Sequence, residues 1–147
     1  MTLQVRPAEK ADLPAVLNLY RQPDLDDGEA LTLEAAQQLL AKIQTYPSYQ
    51  LYVAEGAGQI VGTFTLLIMD NLIHGGTPSA VVEAVAVDPQ CQGQGIGREM
   101  MAWAIAQCRQ AHCYKVTLSA HLKRDRAHRF YESLGFTKHG YSFLLEV

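Results

Sequence analysis

The chain has 147 residues, enough for one domain with a substantial core, and its 48% hydrophobic and 18% charged residues are ordinary for a soluble globular protein. A formal charge of -3 offers no basic face for nucleic acid. No apolar run reaches the roughly 18 residues of a membrane helix, and the N-terminal "MTLQVRPAEK" lacks a secretory layout.

Residues 3–8, "LQVRPA", alternate as an opening strand does and stop at Pro7. Asp12 stands where it can cap a first helix with Leu13, Val16, Leu17 and Tyr20 as its apolar stripe. "QPDLDDGEA" (22–30) is an acidic, turn-rich connection, and Thr32 opens a second helix with Ala36, Leu39, Leu40 and Ile43 on one face. "YQLYVAEGAGQIVGTFTLLIMD" splits into two strands at Gly56-Ala57-Gly58, a hairpin signal. After the turn region "NLIHGGTPS", "AVVEAVAV" is a short, mostly buried strand closed by Asp88-Pro89.

Ile96, Met100, Ala104 and Cys108 then recur every four residues, with Met101 and Ile105 beside them, which predicts a helix of about four turns. "YKVTLSA" (114–120) is strand-like. "RAHRFYESLGF" is helical, with Ala127, Phe130, Tyr131 and Leu134 on one face and Gly135 at its cap. "GYSFLLEV" reads as a closing strand. This order predicts an α+β or mixed α/β fold in one domain over residues 1–147. The three cysteines, without CxxC spacing, point to a reducing, cytoplasmic setting and no disulfide framework. Cys108, His112 and Cys113 match no common ligand set, so no metal is expected.

Between the buried strand and its helix lies "QCQGQGIGR", with Gly93, Gly95 and Gly97 at alternate positions. The first N–H groups of a helix lack internal partners and carry the positive end of its dipole, so a glycine turn there can hold phosphate. A plain strand-to-helix turn has the same layout, and the residues alone leave both readings open. A Walker loop would need Gly-Lys-Ser/Thr, and the dinucleotide fingerprint would need glycine where Arg98 stands.

"VEAVAVDP" followed by Gln92, Gly95 and Gly97 resembles the pyrophosphate loop of the GNAT superfamily, the acetyl-coenzyme A-dependent N-acetyltransferases, whose pattern is Arg/Gln-x-x-Gly-x-Gly/Ala. The family's later Ala-x-x-Phe-Tyr-x-x-x-Gly-Phe signature stands here as "AHRFYESLGF" (127–136), at family spacing. The resemblance covers nearly the whole chain. It implies a central mixed, mostly antiparallel sheet flanked by helices on both faces, with acetyl-coenzyme A as co-substrate. It implies that Val85, Ala86 and Val87 run beside the pantetheine arm, at a strand bulge that frees backbone groups. Gln92, Gly93, Gln94, Gly95, Ile96, Gly97 and Arg98 would cradle the pyrophosphate, and Arg124, Ala127 and Phe130 would contact the coenzyme. Arg124 departs from the Asn of many members.

The resemblance implies two proton-handling groups. Tyr131 would donate to the departing thiolate, since a phenol is neutral at pH 7; the alternative is packing on its apolar stripe. Glu83 would accept the amine proton through water; the alternative is an outward strand residue or an ion pair. Asp27 and Glu29 in the acidic connection, with His74, are candidate acceptor contacts, against simple solvation. The acceptor is expected to be a small primary amine such as an amino sugar or aminophosphonate. Acetylation of protein lysines or N-termini, and a non-catalytic acyl-coenzyme A-binding regulatory domain, are the alternatives. The closing "YSFLLEV" could pair two copies as a homodimer; neither nucleic acid nor membrane is an expected partner.

Overall fold

The computed structural model describes residues 2–23, 25 and 31–147. It resolves into a first unit reaching Thr117 and a second from Leu118 to Val147. The first contains one sheet in the spatial order β1-β2-β3-β4-β5, made of Leu3–Pro7, Tyr49–Gly56, Gln59–Met69, Ser79–Val87 and Val116–Thr117. Neighbours are antiparallel except β4 and β5, which run parallel. The hairpin joining β2 and β3 turns on Ala57 and Gly58, both at positive φ (51° and 77°), the geometry that matches strand twist.

Strand alternation sorts the helices onto two faces. Leu51 and Val53 of β2 pack with Leu13 and Val16 of α1 (Leu13–Tyr20) and with Ala36 and Leu40 of α2 (Leu33–Ile43). Tyr52 points the other way, stacked on Phe64 at 5.3 Å and meeting Trp103 edge-on at 4.7 Å. Trp103 belongs to α3 (Ile96–Gln110), whose buried face is Ile96, Met100, Met101, Ala104 and Cys108, the four-residue stripe expected from the sequence. Gly62 lets α3 lie close: a Cβ there would collide with Met100 Sδ and come within 3.3 Å of Ala86 O.

Thr32 caps α2 as expected, accepting from the Ala35 N–H at 3.2 Å. Asp12 does not cap α1. A short 3-10 turn over Lys10–Asp12 comes first, and the carboxylate instead accepts the Glu9 N–H at 2.7 Å. It also holds Arg6 in a two-pronged contact at 2.7 and 2.9 Å. Arg6 keeps the Asp12 carboxyl below the ordinary carboxylate range. A depressed folded-state value means that this stabilisation is present above the ordinary range and fades as pH falls through the lowered pKa.

In the second unit, α4 (Asp125–Ser133) ends as its sequence predicts. Gly135 sits at φ 96°, with its N–H on Glu132 O at 3.0 Å and the Phe136 N–H on Tyr131 O at 3.1 Å. This is a complete Schellman motif. α3 ends in the same pair of bonds, from the His112 N–H to Arg109 O (3.1 Å) and from the Cys113 N–H to Cys108 O (3.0 Å). There His112, at φ 60°, holds the left-handed position. His112→Gly is therefore expected to stabilise the protein by about 1 kcal/mol. Thermal melts should show Tm rising by about 3 °C; a fall would mean the imidazole makes an offsetting contact.

Two strand expectations are corrected. Of "YKVTLSA" only Val116–Thr117 pairs, and "GYSFLLEV" forms no strand. A strand exists only by hydrogen bonding to a neighbour, and residues 141–147 find none among the described residues. Their side chains are left outside: Tyr141 is 89% exposed, Phe143 94%, Leu144 85% and Leu145 83%.

Candidate active site

β4 carries a bulge where the resemblance placed one. Thr63 pairs with Ala86 and Thr65 with Glu83, so the β4 stretch between these pairs holds one more residue than its β3 counterpart. Ala84 takes the strain at φ 51°, and alternation fails locally: Glu83 and Ala84 are consecutive and both exposed. Thr65 Oγ1 holds the bulge by donating to Glu83 O at 3.2 Å. The Glu83 carboxylate is thus outward-facing on its strand, free of the burial that an apolar run suggests.

β4 and β5 pair only at Ala80–Val116 and Val81–Thr117, so Val82 to Val87 have β3 as their one strand neighbour among the described residues. The direction of the free groups follows from the peptide plane. In a trans peptide the C=O of one residue points opposite to the N–H of the next. The Asp88 N–H donates to Val61 O of β3 at 2.8 Å, so Val87 O faces the open edge. There it accepts from Gln22 Nε2 at 2.9 Å. The Ala86 side chain is buried, and its backbone is turned to its partner on β3, Thr63.

From Val87 the chain passes through a 3-10 turn, Pro89–Cys91, capped by Asp88 accepting from the Gln90 N–H at 2.9 Å. Gln92 is extended, and Gly93 and Gly95 both take φ 81°. A Cβ on either glycine would meet no protein atom within 4 Å, so the space above them is open. Gly95 is the N-cap of α3 and no side chain caps that helix. Its first N–H groups, at Ile96 and Gly97, stand at the positive end of a 15-residue helix. Ile96 buries its side chain, so only its backbone is offered; Gln92, Gln94 and Arg98 are exposed. Strand edge, left-handed glycines and helix start form one continuous lining, suited to an extended ligand ending in an anion.

The second unit gathers Arg124, Ala127, Phe130 and Tyr131 on α4 and its N-cap. Tyr131 contacts Phe130 edge-on at 5.1 Å and Phe136 at 5.9 Å. Burial pushes its phenol above the ordinary value near 10, and the Arg124 charge acts in the opposite direction. The hydroxyl therefore holds its proton throughout the neutral range. The second contact is a product of the Schellman turn, which brings the residue after its glycine onto the last helical turn.

His74 lies in the loop before β4, its ring 4.2 Å from that of Tyr114. Asp27 and Glu29 lie outside the described residues. Burial lifts the Cys108 thiol to about 11, which keeps it protonated. Among the described residues no three His, Cys, Asp or Glu side chains are grouped to hold a metal, and no helix is long and apolar enough to cross a membrane. Sequence reading missed Gln22 and Thr65, since nothing local marks a glutamine or threonine that bonds a distant carbonyl.

The profile of the family described as "Acetyltransferase (GNAT) family" matches residues 13–136. The chain is 30% identical over 149 residues to glucosamine 6-phosphate N-acetyltransferase of Trypanosoma brucei brucei, covering 99% of this chain and 96% of that protein. It is 33% identical over 97 residues to aminoalkylphosphonate N-acetyltransferase of Salmonella typhimurium, covering 66% and 62% of the two chains. A solved structure named "Putative acetyltransferase from Agrobacterium tumefaciens str. C58" superposes with a TM-score of 0.90 at 35% identity, covering 98% of this chain and 99% of that one.

Proposed function

Because this chain belongs to the GNAT acetyltransferase family, and so is an acetyl-coenzyme A-dependent N-acetyltransferase acting on small molecules, we propose that its acceptor is the primary amine of an amino sugar or aminophosphonate. The observation that carries the donor side is the open β4 edge running into Gly93, Gly95 and the uncapped start of α3. The pantetheine arm lies along Val85 to Val87 as a substitute strand. The pyrophosphate rests on the amides from Gly93 to Arg98, with Gln92 and Gln94 at its rim. Arg124, Ala127 and Phe130 complete the coenzyme contacts.

In the ternary complex the amine nitrogen attacks the thioester carbonyl and the C–S bond breaks. The thiolate takes the Tyr131 proton, and the proton lost by the amine passes through water to Glu83. An exposed carboxylate suits that task, since a water chain can reach it. Asp27, Glu29 and His74 serve the acceptor. The family match runs across the boundary at Thr117, which supports reading residues 1–147 as one acetyltransferase domain; three cysteines without CxxC spacing support a cytoplasmic setting.

Free-thiol release from acetyl-coenzyme A tests the reading against amino sugars, aminophosphonates, polyamines, amino acids and peptides. Turnover on an amino sugar or aminophosphonate is the expected result. Preference for peptides would make the protein a lysine or N-terminal acetyltransferase. Coenzyme binding without thiol release on any amine would make it a regulatory domain.

The enzyme works as a homodimer joined through residues 141–147. An alternating apolar segment this exposed invites pairing with another chain. Light scattering after gel filtration should give a dimer for the full chain and a monomer for a chain ending at Gly140. A full-length monomer at about 100 μM would exclude the pairing.

A further inference from the structure

Strand pairing collects a set of oxygens on one face of the sheet. Val53 pairs with Thr63 and Thr63 with Ala86; one step along, Leu51 pairs with Thr65 and Thr65 with Glu83. Paired residues send their side chains the same way. Thr63, Thr65 and Glu83 therefore share the face on which Leu51 and Val53 pack against α1. Tyr20, the last residue of α1, packs against that same cluster, and its phenol hydrogen-bonds the Thr63 hydroxyl. Thr63 and Thr65 are buried, Tyr20 is half-buried and Glu83 is exposed, so the set runs from the interior out to solvent.

The hydrogens of these groups are already committed. Thr63 Oγ1 donates to Tyr52 O at 2.7 Å, and Thr65 Oγ1 donates to Glu83 O at 3.2 Å. A hydroxyl has one hydrogen, so Thr63 meets Tyr20 as the acceptor and the phenol hydrogen is spent there. Burial raises the Tyr20 phenol above its ordinary value, which keeps that hydrogen in place through neutrality. A carboxylate has none to give. Tyr20 Oη, Thr65 Oγ1 and the Glu83 carboxylate can thus meet a ligand only as acceptors. The matching group is an ammonium, with three donors and no acceptor.

We propose that Tyr20 is an acceptor-binding residue: its oxygen joins Thr65 Oγ1 and the Glu83 carboxylate in a cradle that selects amines by their N–H donors. The proposal rests on the reading of Glu83 as the group that takes the amine proton. Holding the protonated amine and receiving its proton then fall to one recess. An N-alkylated amine keeps the charge but leaves these oxygens unpaired, a loss that a shared charge does not repair.

Tyr20→Phe removes the oxygen and keeps the ring. Thr63 still donates to Tyr52 O, so no buried donor is orphaned. With coenzyme A in place of acetyl-coenzyme A nothing turns over, and calorimetry can compare glucosamine with its N,N,N-trimethyl derivative. The full-length wild type should bind glucosamine at least about 10-fold more tightly. The variant should bind glucosamine about 5–10-fold more weakly and the trimethyl compound within about twofold of wild type. Damage to the fold would weaken both. In turnover the glucosamine KM should rise by the same factor, with the acetyl-coenzyme A KM within about twofold.

Equal affinity of the wild type for the two probes overturns the cradle without recourse to any variant. So does a variant that weakens both probes alike, or neither. A wild type that binds neither overturns it too, and if no amine of the thiol-release panel is acetylated the reading of Glu83 falls as well. Thiol release by a wild type whose Tyr20→Phe variant keeps its discrimination sinks the Tyr20 proposal alone.

Discussion

Replacing Tyr131 with Phe is expected to lower kcat about 100-fold while leaving the KM for acetyl-coenzyme A within about twofold. The substitution isolates the hydroxyl. The ring is held edge-on by Phe130 and Phe136, contacts that a phenyl group retains, so Tm should move by no more than about 2 °C. Burial favours the neutral phenol, and its pKa lies above the ordinary value near 10. The acid is therefore present through neutrality, and kcat should fall only as pH rises past about 10. That alkaline limb should vanish in the Phe variant. The same raised value makes the phenol's contribution to stability complete below its unfolded pKa and lost as pH climbs through the folded one. Circular dichroism at each pH separates the two effects. Turnover within about threefold of wild type would reduce Tyr131 to a packing residue.

Gly95→Val should raise the acetyl-coenzyme A KM by about 30-fold or more, at a stability loss of about 2 kcal/mol. The two effects have separate origins. Stability falls because a β-branched residue is strained at φ 81°, and nothing crowds the site, since a Cβ there meets no protein atom within 4 Å. Affinity falls because that open space is where a phosphate would approach the first amides of α3. Gly93→Ala, at the same φ and also facing open space, should behave alike with a smaller steric effect. A stability loss without a change in KM would place the pyrophosphate elsewhere.

Features legible in the sequence share one property, a local constraint that names its own geometry. Gly58, Gly93, Gly95 and Gly135 sit at positive φ, where few other residues are comfortable, and Thr32 caps the helix that it precedes. The α3 stripe was readable because burial recurs with the helix period. Asp12 misled because its short-range signal suits a helix cap, while Arg6, six residues upstream, competes for the same carboxylate. His112 escaped notice because a non-glycine residue fills a glycine position. "GYSFLLEV" has the alternation of a strand, but alternation describes a surface and does not supply a neighbour. Gln22 and Thr65 act on carbonyls 65 and 18 residues away, a relation visible only once the sheet is assembled.

The bulge at Ala84 makes the ligand-lining edge depend on how many residues lie between Glu83 and Ala86 more than on which residues they are. Point mutation can tune this stretch, since a side chain swapped at Ala84 leaves two residues of β4 still facing the single Phe64 of β3. Loss of a single codon there would do what no substitution can. It would let β3 and β4 pair without interruption, relieve the positive φ at Ala84, and set a single β4 residue against Phe64, so that the strand edge no longer splays there. The expected product is a better-formed sheet that has lost its donor site. Within such a fold, an in-frame deletion of one residue is a short genetic route from enzyme to inert scaffold, and deletion libraries across residues 83–86 would sample it directly.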